Sequence, residues 1–303
     1  MENSNAWDAE WEVTEDMAKA LIYSQFPQLS LSPVRKLGHG WDNTVYAVGE
    51  AYAFRFPRRR VAVNLLEMEG RMLPKLENVV SIPYSKPLFF GKGTLDYPSP
   101  FLGYTYLAGK FPVGLTDEQR ILSVKPLARF LKSLHSFPME EARELGVPTD
   151  HRHLTDVSSR KARMLDHLSE LREHLREEEH EQIEAYLQAI TLKQAGSKEV
   201  LLHGDLHFKN MLVDETGRLS GVIDWGDMNI GHPACDLNVA YSFVPPGARS
   251  EFFKAYGEVE EETKILARLI AVYIPMLILL QAVHEQDKKI EEEAKATILR
   301  ALT

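Results

Sequence analysis

Residues 200–213 read Val-Leu-Leu-His-Gly-Asp-Leu-His-Phe-Lys-Asn-Met-Leu-Val. Apolar runs bracket a polar centre, His203-Gly204-Asp205, and Asn210 stands five residues after Asp205. Flanks of this kind bury themselves and anchor a tight loop, which then holds a carboxylate and an amide at fixed separation. Phosphoryl transfer needs this pair. The carboxylate orients a hydroxyl and accepts its proton, and the amide oxygen binds a magnesium ion on the phosphates. Asp205 is the candidate catalytic base and Asn210 a candidate magnesium ligand.

A second motif follows at Gly221-Val222-Ile223-Asp224-Trp225-Gly226-Asp227. An acidic residue ends an apolar strand, and a Gly-containing turn comes next. Asp224 lies fourteen residues after Asn210, and a strand–turn–strand excursion of that length can return beside its start. Asn210 and Asp224 are therefore expected at one metal, of the oxygen-liking magnesium type. Asp227 is a weaker candidate, for a second metal, for substrate, or only as a cap of the next turn. Taken singly, an Asp after a strand is an ordinary turn residue; H-G-D-x-x-x-x-N followed by I-D-W-x-D is not ordinary.

These motifs resemble those of the aminoglycoside phosphotransferase family, which includes macrolide phosphotransferases and shares the protein-kinase-like fold. The family reads H-G-D-x-x-x-x-N where protein kinases read H-R-D-x-x-x-x-N, and I-D-W or I-D-F where they read D-F-G. The resemblance covers about residues 35–285. It implies that Asp205 is the base, that Asn210 and Asp224 bind Mg2+, and that ATP or GTP is the donor. It also implies that Asp236, in GHPACDLN, is a structural aspartate bonded to the catalytic loop. His232 stands where the family often has Asp.

The first hundred residues fit a nucleotide-binding lobe. Thr44–Val48 and Tyr52–Phe56 are β-branched and aromatic with Gly49-Glu50 between them, a hairpin pattern. Arg55 lies in the strand YAFRF, where a kinase fold needs a cation for the α- and β-phosphates, paired with a helix glutamate. Residues 61–76 are helical by periodicity, and Glu69 is the expected partner, with Glu67 second. The segment R-F-P-R-R also resembles one in the macrolide kinases. Gly38 and Gly40, in Leu37-Gly38-His39-Gly40-Trp41-Asp42-Asn43, form the candidate phosphate-covering loop. The run Phe101–Leu107 reads as a strand leading to a hinge, where backbone near Tyr106 would meet the base.

After Ala108-Gly109 the chain turns helical, with helices expected over 117–137 and 158–192 and through most of the chain from 236 onward. The expected fold is α+β and bilobal, with a small β-rich lobe (1–108) and a larger helical lobe (109–303) carrying catalysis and acceptor binding. His135, at a helix end, reads as a packing residue.

Bulk properties narrow the partners. The 303-residue chain has a formal net charge of −9, which disfavours nucleic acid. The apolar stretch 265–283 contains Arg268, Pro275 and Gln281, so it reads as a kinked core helix and not a membrane span. One cysteine, Cys235, allows no internal disulfide, and residues 1–8 lack the pattern of a signal peptide. A reducing cytoplasm is expected, with a small-molecule acceptor and no obligate protein partner. The acceptor expected from the resemblance is an antibiotic. An aminoglycoside would draw on acidic clusters such as Glu177–Glu181 and Glu258–Glu262. A macrolide would draw on an apolar wall such as Tyr241, Phe243, Phe252, Phe253, Tyr256, Tyr273 and Met276. A metabolic kinase of choline, homoserine or sugar type is the alternative. A nucleotide-binding pseudoenzyme scaffold is the alternative from another class.

Overall fold

The computed structural model describes residues 9–40, 42–150, 152–193 and 195–303. The acidic start Met1–Asp8 and Trp41 of the glycine loop lie outside the described residues. The N-terminal lobe is an antiparallel sheet of five strands: β1 (Val34–His39), β2 (Asn43–Val48), β3 (Tyr52–Pro57), β4 (Pro87–Gly91) and β5 (Phe101–Thr105). Their order is β1-β2-β3-β5-β4. The turn at Gly49 takes φ +59°, a left-handed conformation that glycine adopts without strain. One face of the sheet packs Phe54, Phe56 and Phe101 with Leu21 and Ile22 of α1 (Glu15–Gln25). Thr14 caps α1 by accepting from Met17 N–H. The other face receives α2 (Arg60–Met72), which a 3-10 turn over Leu73–Leu76 extends. The apolar side of α2, through Leu66, Met68 and Met72, joins the larger core beneath it.

The second lobe begins with two helices where the sequence suggested one. α3 (Asp117–Ile121) and α4 (Val124–His135) are separated at Leu122-Ser123. Pro126 explains the break. A continuous helix would place it in the interior without an N–H, whereas here it falls in the first turn of α4, where none is needed. Ser123 Oγ uses the gap to accept from Leu219 N–H at 2.7 Å. Short helix α5 (Met139–Glu144) leads to α6 (Val157–Glu170) and α7 (Glu177–Ala189). Two small ribbons follow: β6 (Val200–Leu202) pairs with β9 (Asn229–Gly231), and β7 (Met211–Val213) with β8 (Leu219–Val222). The chain closes with α8 (Ala234–Leu237), α9 (Val239–Ser242), α10 (Arg249–Tyr256), α11 (Glu261–Glu285) and α12 (Lys288–Leu302). α11 carries Pro275 and is long and apolar enough to cross a membrane, but most of it is buried inside the lobe. The result is a β-rich lobe above a helical lobe, the kinase-like arrangement.

Candidate active site

The loop between β6 and β7 carries the first motif, and its backbone is tied from below. Asp236, fully buried at the start of the C-terminal helices, accepts from His203 N–H at 2.7 Å and Gly204 N–H at 3.0 Å. His135 Nε2 lies 3.2 Å from the same carboxylate, and its Nδ1 meets Tyr256 OH at 2.8 Å. Burial alone would raise the Asp236 pKa, but His135, His203 and the Gly204 N–H outweigh it and hold it below the usual range. His203 donates from Nε2 to Ile223 O at 3.0 Å and accepts Asp205 N–H at Nδ1. One imidazole thus joins the two motifs. Gly204 sits at φ +87°, and a Cβ there would fall 2.1 Å from Asp227 O, so no other residue fits.

Asp205 and Asn210 meet directly. Asn210 Nδ2 donates to Asp205 O at 2.8 Å and to its Oδ2 at 3.1 Å. That spends the amide nitrogen and leaves the Asn210 oxygen as the atom to face a cation. His207 Nε2 lies 3.3 Å from Asp205 Oδ2, and His207 Nδ1 accepts from Lys209 N–H. Burial pushes the Asp205 carboxyl up, but His207, Arg152 and His203 together hold it well below the ordinary carboxylate range. Asp205 is therefore an anion at neutral pH.

Asp224 follows β8 in a left-handed conformation, φ +62°, which costs a non-glycine residue about 1–2 kcal/mol. Its half-exposed carboxylate reaches toward the upper lobe, where Arg55 Nη2 lies 3.1 Å from Oδ1. Arg55 Nη1 lies 3.0 and 2.9 Å from the two Glu69 oxygens, and Tyr104 OH donates to Glu69 at 3.1 Å. Burial works to lower the Arg55 pKa, but Glu69 and Asp224 more than reverse it, so the guanidinium stays charged. Glu69, not Glu67, is the partner of Arg55. In the turn after Asp224, a Cβ on Gly226 would meet Glu69 Oε1 at 3.5 Å, an ordinary contact, and Asp227 O accepts from Asn229 Nδ2.

Gly38 falls within β1, where its register with β2 shifts, and Gly40 lies between β1 and β2. Arg58 Nη1 donates to Gly40 O at 2.9 Å and touches His39 Nδ1 at 3.2 Å, while Arg59 pairs with Asp42. The R-F-P-R-R segment therefore grips the loop with two arginines and offers the third, Arg55, to the cleft. At the hinge a correction is needed. The strand stops at Thr105, and Tyr106 N–H is already given to Ala51 O at 2.7 Å, so that donor is not free for a base.

Between the lobes lies an open cleft of about 1280 Å³. Gly38, Gly40, Arg55, Tyr106, Asp205, Asn210 and Asp224 all line it, and Glu69 stands buried behind Arg55. The far rim is built by Phe111, Val113, Gln281, Glu285, Asp287 and Ile290. Neither set of residues proposed to distinguish the acceptors reaches it. Glu177 pairs with Arg172 and Glu179 with Arg176 on α7, and Glu258–Glu262 lead into α11, away from the cleft. Tyr241, Phe243, Phe252, Tyr273 and Met276 are buried core residues, with Phe253 and Tyr256 packed against them. Among the described residues no three His, Cys, Asp or Glu side chains gather as a metal cage. Asp224 with the Asn210 oxygen is a hard, two-residue donor set, which suits magnesium held jointly with phosphates. Sequence reasoning missed Arg152, which lies 3.8 Å from Asp205 and 3.9 Å from Asp227. It also gave no role to His207, whose position two residues after Asp205 was the only signal.

Fold and site together define a kinase-like phosphotransfer protein. The chain belongs to the phosphotransferase enzyme family, whose model matches residues 33–268. Among solved structures, the GDP complex of aminoglycoside 2'-phosphotransferase-IIIa aligns with a TM-score of 0.67 and 22% identity, over 95% of this chain and 98% of that one. Macrolide 2'-phosphotransferase MphH from Brachybacterium faecium aligns with a TM-score of 0.56 and 20% identity, over 88% and 91%. At such identities the fold is what is shared. The uncharacterized protein YcbJ of Bacillus subtilis (strain 168) is 43% identical over 37 residues, 12% of this chain and 12% of the relative.

Proposed function

We propose that this protein transfers the γ-phosphoryl group of ATP or GTP to a hydroxyl of a small molecule, with an antibiotic as the leading acceptor class. The observation that carries this is the convergence of Asp205, Asn210, Asp224 and Arg55 on one interlobe cleft. Arg55, held by Glu69, contacts the donor phosphates. Gly38 and Gly40 cover them. Asp224 and Asn210 would hold Mg2+, which would supply neutralising charge to the phosphates. Asp205, held as an anion, accepts a hydrogen bond from the acceptor hydroxyl and aligns its oxygen for in-line attack. The proton passes to its carboxylate as the acceptor oxygen–phosphorus bond forms and the bond from the γ-phosphorus to the β,γ-bridging oxygen breaks, releasing the nucleoside diphosphate. His207 keeps that carboxylate facing the reaction. The single buried cysteine supports action in a reducing cytoplasm.

The test is nucleotide turnover with an acceptor panel: aminoglycosides, macrolides and small hydroxylated metabolites, each with ATP and with GTP. An aminoglycoside bound by charge loses affinity steeply with added salt, whereas a macrolide bound by apolar burial does so weakly. Stimulation by a metabolite alone would replace the antibiotic reading with a metabolic one. Near-wild-type turnover by Asp205→Asn would refute the base assignment, since general-base assistance is worth about two to four orders of magnitude.

A further inference from the structure

The H-G-D motif has glycine where a protein kinase has arginine, yet a guanidinium still reaches this point. It comes from the connection between α5 and α6, 52 residues before Gly204 in the chain. Arg152 bonds through Nη2 to the carbonyl of Gly204, and its Nη1 lies 3.8 Å from Asp205 and 3.9 Å from Asp227. These two separations are too long for direct hydrogen bonds. They suit an ion pair shared between two carboxylates, with water able to bridge.

The segment that delivers Arg152 is itself anchored. Asp150 N–H donates to Ile230 O at 2.8 Å, and Asp150 Oδ1 accepts Arg152 N–H at 2.9 Å. Arg160, buried on α6, donates to the carbonyls of Arg152 and His153 and stacks 4.4 Å from the Tyr273 ring on α11. A mobile surface arginine would contribute little to its neighbours. This one has a fixed backbone, and its own side chain is about three-quarters buried, at 28% exposure.

We propose that Arg152 is a positioning residue for phosphoryl transfer, bracing the Asp205 loop through Gly204 O and coupling the Asp205 carboxylate to Asp227. The inference rests on the reading of Asp205 as the group that orients the acceptor. Asp205 and Asp227 repel each other, and the guanidinium between them offsets that repulsion and keeps Asp205 facing the cleft. The planar fork makes both contacts at once, one edge on the carbonyl and the other toward the acids. Lysine supplies the charge without the fork.

Phosphate release from ATP and GTP, with water as the probe acceptor, tests this in Arg152→Gln, Arg152→Lys, Asp227→Asn, Asp205→Asn and the Arg152→Gln/Asp227→Asn double variant. Calorimetry of magnesium–nucleotide binding runs alongside. Misplacing a reacting group by about 1 Å costs roughly 100-fold, so Arg152→Gln is expected to lose about 10- to 100-fold in turnover with nucleotide Kd within about 2-fold. Arg152→Lys should fall between Gln and wild type. Asp227→Asn should cost less in the Arg152→Gln background than alone, the signature of coupled residues. Should Arg152→Gln not fold, Arg152→Lys and Asp227→Asn carry the test. Turnover near wild type in Arg152→Gln while Asp205→Asn collapses would overturn this inference alone, as would Lys no better than Gln. Turnover near wild type in Asp205→Asn would overturn the reading beneath it. A wild-type protein inert with both nucleotides would overturn both.

Discussion

Asp236→Ala removes a carboxylate that touches no substrate, yet it should be among the most damaging changes in the chain. The side chain is fully buried and accepts from His203 N–H at 2.7 Å and Gly204 N–H at 3.0 Å, with His135 Nε2 at 3.2 Å. Alanine leaves these donors in an apolar interior. Each buried unsatisfied group costs about 1–3 kcal/mol, and the two backbone N–H groups both lose their acceptor. Taking about 4 kcal/mol and roughly 2–4 °C per kcal/mol for a chain of this size, thermal unfolding should fall by about 10 °C. Asp236→Asn should be nearly as harmful, because its NH2 faces donors. The sign of the pH effect follows from the lowered folded-state pKa. The contribution is fully present above the unfolded carboxylate value, about 3.9, and is lost as pH falls through the lower folded value. In Asp236→Ala that part of the acid limb should vanish. Urea unfolding across pH measures both effects. A loss under about 1 kcal/mol at neutral pH, or an unchanged acid limb, would refute the argument.

Four further outcomes follow from the site. Asp224→Ala should abolish transfer and weaken nucleotide binding chiefly when magnesium is present, read by calorimetry with and without the metal. Gly204→Ala should fail to fold or lose at least about 3 kcal/mol, because its Cβ would lie 2.1 Å from a backbone oxygen at a positive φ. Gly226→Ala, with 3.5 Å of clearance to Glu69 Oε1, should cost under about 1 kcal/mol by chemical denaturation. Arg58→Ala should release the loop at Gly40 and raise the nucleotide KM several-fold, by about 1 kcal/mol for one lost hydrogen bond, while leaving the fold intact by circular dichroism.

The parts of the site legible in the sequence were those whose chemistry demands particular residues at particular spacing. Asp205, Asn210 and Asp224 could be found because a carboxylate, an amide and a second carboxylate must recur at the ends of short buried strands. Arg55 and Glu69 were legible because a strand and a helix in succession bring positions fourteen apart together. Arg152 was not, since nothing local marks an arginine whose partners lie 52 to 75 residues further along the chain. The acidic clusters and aromatic residues expected at the acceptor misled for a related reason: composition shows that a group exists, not which way a helix turns it. In the fold, β4 was hidden because Pro87–Gly91 lies within a turn-rich stretch and forms a strand through its pairing with β5. The break before α4 turned on Pro126, a residue that the apolar stripe of 117–137 conceals.

Cys235 gives the molecule a practical property. It is the sole cysteine of the sequence, it is buried, and burial pushes its thiol well above the ordinary range. A buried thiol of that kind is inert toward alkylating reagents. The native protein is therefore a silent background for site-specific labelling. Single cysteines introduced at Leu31 in the upper lobe and Glu215 in the lower, both almost wholly exposed, would carry a fluorophore pair with no native thiol to block first. The separation of the two lobes, with and without nucleotide, would then be open to direct distance measurement.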